Sequence, residues 1–128
     1  MNELIVDTSV WIEFFHGKTL PILETALQES RVILSPLVYA ELLSGQTAKS
    51  TDRRLIDFLD ELDLHPVPRT HWSAVGHLRR SCSGKGMTLS IPDAHVAQCA
   101  IDVEGLLYSF DAIFLKISRI TSLKLLEE

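Results

Sequence analysis

The sequence predicts an α/β protein with a central, mainly parallel sheet flanked by helices. Three short apolar runs support this prediction: Leu4–Val6, Val32–Leu34 and Leu106–Tyr108. Each leads directly into a polar turn and then a helical pattern. Short, continuously apolar runs are typical of strands buried on both faces, as in a parallel sheet covered by helices. Strands that alternate with helical segments indicate an α/β sandwich.

The composition fits one globular domain over residues 1–128. Hydrophobic residues make up 46% of the chain and charged residues 23%, a balance that suits a packed core rather than disorder. No apolar run approaches the roughly 18 residues of a membrane span, and the N-terminus lacks the basic region of a signal peptide. We therefore expect a cytoplasmic protein without a membrane association. Cys82 and Cys99 fit no metal or redox spacing.

Helix boundaries can be predicted from capping residues, because N-cap side chains and first-turn prolines begin helices and glycines end them. The predicted helices begin at Ser35, at Thr51 or Asp52, at Thr70 and at Ser90, and three of them end near Gly45, residues 83–86 and Gly105. A weaker strand is predicted over residues 62–67, where Pro66 and Pro68 limit pairing. Residues 122–126 are predicted to form a short edge strand with Lys124 facing outward.

Four acidic residues fall where such a sheet would place a binding site, since ligands bind at the carboxyl ends of parallel strands. Asp7 directly follows the first apolar run, and Asp111 lies three residues past Tyr108. Glu41 is in the second turn of the helix after the second strand, and Asp93 is in the first turn of a later helix. Right-handed crossovers place the first two strand ends at one edge. Asp111 joins them if its strand is parallel, and Asp93 does so if its helix runs antiparallel to the strand that follows.

Three of these acids also have ordinary structural explanations. Asp7 could form an Asx-turn or cap a helix. Asp93 completes a Ser-x-x-Asp capping box with Ser90. Asp111 could cap the helix that follows it. None of the three would indicate a functional site if it stood alone.

Glu41 is harder to explain by local structure, because its neighbours over residues 37–43 are almost all apolar. A carboxylate there needs a partner, a metal ion or a position in solvent. No lysine or arginine lies one helical turn away to pair with it.

Four carboxylates in one crevice require counter-charge, because they cannot all ionise beside one another. Hard cations supply it, and a carboxylate cluster without histidine or cysteine favours magnesium or manganese over zinc. Such a site can activate water and stabilise charge on a phosphate, which is the chemistry of phosphodiester hydrolysis. The net charge of −5 argues against a simple nucleic-acid-binding module, but it becomes −1 when the four acids are set aside.

Four segments of the chain resemble the acidic motifs of the PIN-domain family, and of its VapC-type ribonuclease toxins in particular. The segments are IVDTSVWI around Asp7, YAELLSG around Glu41, LSIPDAHVA around Asp93 and LYSFDAIF around Asp111. They occur in the expected order and spacing, and the resemblance covers essentially the whole chain. It implies a PIN-like three-layer sandwich and an endoribonuclease that uses Mg²⁺ or Mn²⁺ to hydrolyse RNA.

The resemblance also implies roles for individual residues and for partners. Asp7 and Asp93 would be the principal metal ligands, and Glu41 and Asp111 would complete the site directly or through water. Thr8 and Ser109 would support the acids. The family further implies a homodimer and a cognate antitoxin protein of a type II toxin–antitoxin pair, whose C-terminal segment blocks the active-site groove. Two positions depart from the pattern of many relatives, because Ile113 replaces an acid and Phe110 replaces a polar or basic residue.

Three basic residues precede the third acid and are candidates for contacts with RNA phosphates: Arg79, Arg80 and Lys85. A solvated helix face explains them equally well. The histidines show no metal-ligand spacing such as His-Glu-x-x-His; they are His16, His65, His71, His77 and His95. His95 is two residues from Asp93 and is expected to point away from the acids.

Other functional classes fit the sequence less well. The segment Asp7-Thr8-Ser9 also resembles an aspartic-protease motif, but that class needs a β-rich body and two aspartates that share a proton. A phosphoryl-transfer enzyme with Asp7 as nucleophile would want a second acid shortly afterwards and a suitable lysine. Two alternatives stay open: a catalytically silent interaction domain, and an RNA-maturation nuclease without an antitoxin.

Overall fold

Among the residues that the computed structural model describes, 2–45 and 53–127, four parallel strands form one sheet. In chain order they are β1 (Leu4–Val6), β2 (Val32–Leu34), β3 (Asp63–Leu64) and β4 (Leu106–Tyr108). Their order across the sheet is β3-β2-β1-β4, and every pairing is parallel. The prediction of a parallel α/β fold is confirmed, with each of the three apolar runs forming a strand.

Seven helices accompany the sheet in the described ranges. They are α1 (Thr8–Phe15), α2 (Pro21–Gln28), α3 (Pro36–Ser44), α4 (Arg53–Asp60), α5 (Arg69–Gly84), α6 (Ile91–Asp102) and α7 (Ile113–Ile120). Ser35 and Ser90 cap α3 and α6 as predicted, since each hydroxyl accepts a backbone N–H three residues on at 3.2 Å. The predicted caps of α4, Thr51 and Asp52, lie outside the described residues. None of these helices is long and apolar enough to span a membrane.

The two weaker strand predictions differ from the structure in extent. β3 contains only two residues, both exposed, because Pro66 and Pro68 have no N–H to continue the ladder. The segment over residues 122–126 makes one parallel bridge, between Leu107 and Leu125, and forms no longer strand. Lys124 is exposed, as predicted.

The core forms where α6 packs between the sheet and the helices α3, α5 and α7. Residues 94–100 of α6 are all buried, because this helix has neighbours on every side. An aromatic cluster joins α1 to α4, with ring centroids 5.6 to 6.2 Å apart; its members are Trp11, Phe14, Phe15 and Phe58. These contacts hold α1, the helix that directly follows Asp7, against the rest of the fold.

The entry into β4 passes very close to β1. A Cβ atom on Gly105 would lie 2.4 Å from the carbonyl oxygen of Glu3, so only glycine fits there without a backbone shift. Directly after Gly105, the N–H of Leu106 donates to the same Glu3 carbonyl at 3.0 Å. This close pairing places the carboxyl ends of β1 and β4 side by side.

Candidate active site

The carboxyl edge of the sheet carries the acids predicted from the sequence. Asp7 follows β1, and its backbone N–H donates to the carbonyl of Tyr108, the last residue of β4, at 2.9 Å. Asp111 lies in the turn after β4, and Asp93 is in the first turn of α6. β4 is parallel to β1, and α6 runs back along the sheet toward the start of β4. Asp111 and Asp93 therefore lie at the same edge of the sheet as Asp7.

Two serine hydroxyls hold the Asp7 carboxylate. Ser9 Oγ and Ser109 Oγ each donate to Asp7 Oδ2 at 2.8 Å. The two hydroxyls are 3.5 Å apart, and because both protons go to Asp7 they do not bond each other. Asp7 occupies the N-cap position of α1, yet its side chain makes no capping hydrogen bond. Oδ1 of Asp7 therefore has no hydrogen-bond donor among the described residues.

The turn after β4 is organised by the same serines. Ser109 Oγ accepts the N–H of Asp111 at 3.0 Å, and Ser9 Oγ accepts the N–H of Phe110 at 3.1 Å. Asp111 Oδ1 accepts the N–H of Ile113 at 3.1 Å, so the ordinary capping explanation accounts for one of its two oxygens. The turn is thus tied to the first turn of α1, and its acid is held next to Asp7.

Electrostatic interactions connect Asp93 with the other two aspartates. Burial raises the pKa of Asp93, and repulsion from Asp111 and then Asp7 raises it further, while a hydrogen bond with Ser90 lowers it. Ser90 also accepts the backbone N–H of Asp93, which is one half of the predicted capping box. The contributions from Asp111 and Asp7 indicate that the three aspartates are close enough for their charges to repel one another.

Glu41 joins the site through a hydroxyl group. It is exposed on α3 and accepts a hydrogen bond from Thr8 Oγ1 at 2.8 Å. Thr8 is the residue after Asp7, so this bond ties α3 to the start of α1. The solvent-facing position explains how a carboxylate can lie in an otherwise apolar helix.

The donor set of this site consists of oxygen atoms. Within residues 2–45 and 53–127, no lysine, arginine or histidine forms an ion pair with the four acids. Carboxylates and hydroxyls without a basic partner suit a hard divalent cation such as Mg²⁺ or Mn²⁺. The residues present therefore fit the metal that the family resemblance implies.

Ser9 is the site residue that sequence reasoning did not select. It lies within the Asp7-Thr8-Ser9 motif, where Thr8 was the residue chosen as support. Its hydroxyl bonds both Asp7 and the turn after β4, across 101 residues of chain. The local signal was a hydroxyl two residues after the acid, which mirrors Ser109 two residues before Asp111.

The three basic candidates have different surroundings. Arg79 Nε donates to the carbonyl of Leu89 at 2.7 Å, and Lys85 Nζ donates to the carbonyl of Ile120 at 3.2 Å. Arg79 and Arg80 line an open cleft of about 620 Å³ that also includes Leu89. Because Leu89 directly precedes the N-cap of α6, this cleft lies beside the helix that carries Asp93.

This fold and this site define a class of protein: a parallel α/β domain with a carboxylate cluster at the carboxyl edge of its sheet. The chain belongs to the PIN domain family, whose model matches residues 4–120. Comparison with curated protein sequences gives no match.

Solved structures similar to this chain share its fold at low sequence identity. They include VapBC2 from Rickettsia felis bound to a DNA fragment from their promoter, at 19% identity over 96% of each chain with a TM-score of 0.76. DNA-bound VapBC from Salmonella typhimurium matches at 20% identity over 98% of each chain, with a TM-score of 0.72. VapBC-1 from nontypeable Haemophilus influenzae matches at 17% identity over 97% of this chain and 96% of that one, with a TM-score of 0.75.

Proposed function

We propose that this chain is a metal-dependent endoribonuclease, the toxin of a type II toxin–antitoxin pair. It hydrolyses RNA phosphodiester bonds at a site formed by Asp7, Glu41, Asp93 and Asp111. The observation that supports the proposal is the convergence of carboxylates at one edge of the sheet: Ser109 bonds both Asp7 and the turn that carries Asp111, and both of these acids act on the charge of Asp93. A structural cap would have no need of two further carboxylates beside it.

Asp7 and Asp93 would be the principal ligands of Mg²⁺ or Mn²⁺, with Asp111 and Glu41 completing the site directly or through water. When bound, the ion supplies an activated water and stabilises charge on the phosphate. The chain's own residues orient the acids. Ser9 and Ser109 hold Oδ2 of Asp7, and Oδ1 would be the oxygen offered to the ion.

The RNA substrate would approach along the cleft beside α6. Arg79 and Arg80 line this cleft, and arginines bind phosphate oxygens through several N–H groups at once. The Nε atom of Arg79 is already bonded to the carbonyl of Leu89, which holds the guanidinium at the cleft wall. Lys85 is proposed as a weaker contributor because its ammonium group already contacts the Ile120 carbonyl.

A cognate antitoxin and a homodimer are part of the proposal. The similar solved structures include VapBC assemblies and a toxin–antitoxin complex from Klebsiella pneumoniae. The shared fold over nearly the whole chain supports the same kind of assembly here. The proposed place of action is the cytoplasm, where RNA is available.

The test is RNA cleavage by purified chain freed of any antitoxin. Wild type is incubated with total cellular RNA, with Mg²⁺, with Mn²⁺ and with a chelator, beside Asp7→Asn and a control variant, Glu13→Gln. Glu13 is an exposed acid on α1, in the helix that Asp7 precedes. We expect discrete, metal-dependent cleavage by wild type and by Glu13→Gln, and at least a 100-fold loss in Asp7→Asn.

Two outcomes of this experiment would contradict the proposal. If folded, partner-free protein cuts no RNA with either metal, the chain is better described as a silent interaction domain that keeps the fold. If cleavage persists at the wild-type rate in Asp7→Asn, the cleavage does not require Asp7, and the proposed carboxylate site is not its catalytic centre.

A further inference from the structure

A second polar cluster lies within the protein, between β3, α5 and α6. We call it the histidine cluster; it comprises His65, His71, His95, Cys99 and Asp102. One ligand atom from each of His65, His71 and Cys99 lies within 4.8 Å of the other two. These three residues are 4%, 3% and 0% exposed. Asp102 is nine residues beyond Asp93 on α6, a distance of about 13 Å along the helix, so the cluster is separate from the acidic site.

Asp102 fixes the orientation of two imidazoles. Its Oδ2 accepts from His71 Nδ1 at 2.6 Å and from His65 Nε2 at 3.0 Å, while Gln98 donates to its Oδ1 at 2.8 Å. A neutral imidazole that donates through one nitrogen presents a lone pair at the other. His65 Nδ1 and His71 Nε2 are therefore the atoms left to act as ligands. Histidines that bind metal ions generally donate their other N–H to a carboxylate in this way.

A hydrogen-bonded chain accounts for only part of this cluster. Ser35 Oγ lies 2.6 Å from His95 Nε2, and His95 Nδ1 lies 2.8 Å from His71 Nε2. The Asp102 carboxylate accepts from His71 Nδ1, so a neutral His71 accepts at Nε2 from His95 Nδ1, and His95 Nε2 in turn accepts the proton of Ser35 Oγ.

This chain of hydrogen bonds leaves one ring nitrogen of His65 without a partner and gives the Cys99 thiol only weak contacts. His65 Nδ1 is buried and has no hydrogen-bond partner among the described residues. A buried nitrogen without a partner costs free energy unless something binds it. The thiol of Cys99 lies 3.6 and 3.9 Å from the two ring nitrogens of His95, and a hydrogen bond with Ser35 also acts on it. Burial and the nearby Asp102 raise the pKa of Cys99 to about 12, so Cys99 is a neutral thiol in the metal-free protein and would release its proton to solvent only when a cation binds beside it.

We infer that His65, His71 and Cys99 form a second metal site, selective for a borderline-soft divalent cation of the zinc class, with Asp102 as the outer carboxylate. Two imidazoles and one thiolate are a ligand set that Zn²⁺ and Co²⁺ accept and that Mg²⁺ does not. The ion reaches the site through a cleft of about 430 Å³ lined by residues that include His65, His71 and Asp102. When the ion binds, His71 Nε2 would give up the hydrogen bond that it accepts from His95 Nδ1 and would coordinate the ion instead.

The site would connect three elements of the fold. His65 follows β3, His71 is in the first turn of α5, and Cys99 is in α6. β3 has only two residues and is exposed at the edge of the sheet, so an ion that joins it to both helices would strengthen a weakly paired part of the fold. This inference does not depend on the proposed nuclease activity.

The test uses tag-free protein stripped with a chelator and titrated with Co²⁺. With excess Mg²⁺ present to occupy the acidic site, we expect a thiolate-to-cobalt charge-transfer band that saturates at one Co²⁺ per chain and is displaced by one equivalent of Zn²⁺. Cys99→Ala should abolish the charge-transfer band. Cys82→Ala should keep it, since Cys82 is also a free, fully buried cysteine but lies outside the cluster.

Two further variants separate this site from the acidic one. Asp102→Asn should weaken Co²⁺ binding by about 10- to 100-fold, the usual cost of removing an outer carboxylate. A double variant, Asp7→Asn with Asp93→Asn, should bind Co²⁺ at the cluster with unchanged charge-transfer absorption. Circular dichroism checks that each variant is folded. The inference is overturned if folded wild type shows no thiolate–cobalt band, or if the band survives in Cys99→Ala.

Discussion

At the scale of the residue, Asp7 shows how a carboxylate can be oriented while still being able to bind a ligand. Its Oδ2 takes two hydroxyl donors, Ser9 and Ser109, at 2.8 Å each. Neutral donors orient the group without cancelling its charge, whereas a lysine or arginine would have done both. An acid held in this way keeps its negative charge for a cation.

Replacing Ser109 tests this arrangement. Ser109→Ala removes one donor to Asp7 and the acceptor of the Asp111 N–H, so we expect RNA cleavage to fall about tenfold or more. The control is Ser118→Ala, whose hydroxyl bonds only the Leu115 carbonyl within α7. Cleavage rates are compared at saturating Mg²⁺. Equal rates for the two variants would show that Ser109 does not position the acids.

A second residue-scale prediction concerns His95, which is fully buried. Burial lowers its pKa to about 4, with repulsion from His71 and His65 adding to the effect and Asp102 opposing it. The unfolded chain binds a proton near pH 6.5, whereas the folded chain does so near pH 4. The stability that neutral His95 contributes is thus complete above pH 6.5 and is lost as the pH falls toward 4.

The measurement is urea unfolding at pH 7 and pH 4 in the presence of a chelator. Between these values wild type should lose about 3 kcal/mol more of its free energy of unfolding than His95→Gln does. His77→Gln, at an exposed histidine of α5, should behave as wild type. If wild type and His95→Gln show the same loss, the buried imidazole is not the group responsible.

At the scale of the element, the contact between β1 and β4 determines whether the acids meet. Gly105 lets the chain leaving α6 approach the Glu3 carbonyl, where a Cβ would lie at 2.4 Å. The parallel pairing that follows, from Leu4–Leu106 to Val6–Tyr108, places Asp7 beside the turn that carries Asp111. Gly105 therefore permits the close pairing of β1 and β4 that brings Asp7 and Asp111 side by side.

Two glycine variants make a matched pair. Gly105→Ala should lower the free energy of unfolding by about 1–3 kcal/mol, because backbone must move to admit the methyl group. Gly76→Ala, inside α5 with nothing within 4 Å of its Cβ position, should raise it by about 0.5–1 kcal/mol, since alanine favours a helix. Denaturant unfolding distinguishes them. A neutral Gly105→Ala would mean that β4 can enter the sheet by another path.

At the scale of the whole molecule, the sheet edge concentrates negative charge on a chain whose net charge is already −5. Burial and the nearby Asp111 and Asp7 raise the pKa of Asp93. Ionised Asp93 therefore destabilises the metal-free fold at neutral pH relative to the unfolded chain. Function and stability are opposed at this position until a cation binds.

Replacing Asp93 should separate the two effects. In chelator at pH 7, Asp93→Asn should unfold at a higher temperature than wild type, because a partly buried charge is removed and its repulsion with Asp111 and Asp7 is relieved. Added Mg²⁺ should raise the Tm of wild type and have little effect on the variant, since an ion that binds only the folded state stabilises it. Differential scanning calorimetry measures both. A lower Tm for metal-free Asp93→Asn would show that the carboxylates do not repel one another in the folded protein.

The sequence by itself determined the features that depend on neighbouring residues. Apolar runs bounded by turns predicted β1, β2 and β4. Ser35 with Pro36, and Ser90 with Pro92, predicted the starts of α3 and α6. Both predictions were possible because strand burial and helix capping act over a few residues. The ends of β1 and β2 could be assigned to one edge of the sheet because crossovers between parallel strands have a fixed hand, whereas Asp111 and Asp93 could be placed there only on conditions about the direction of β4 and α6. The length of β3 could not be predicted in this way. Pro66 and Pro68 limit the strand pairing of this segment, but they do not determine the residue at which the pairing ends.

Only the tertiary structure brought together groups far apart in the chain. Ser9 meets the turn after β4 across 101 residues, and the bonds of the histidine cluster join residues 24, 31 and 37 positions apart. No local spacing rule reveals such contacts, because they depend on how α5 packs against α6 and on where β3 ends. The histidines and Cys99 carried no recognisable motif for the same physical reason: their relation is set by packing between elements and not by the period of any one of them.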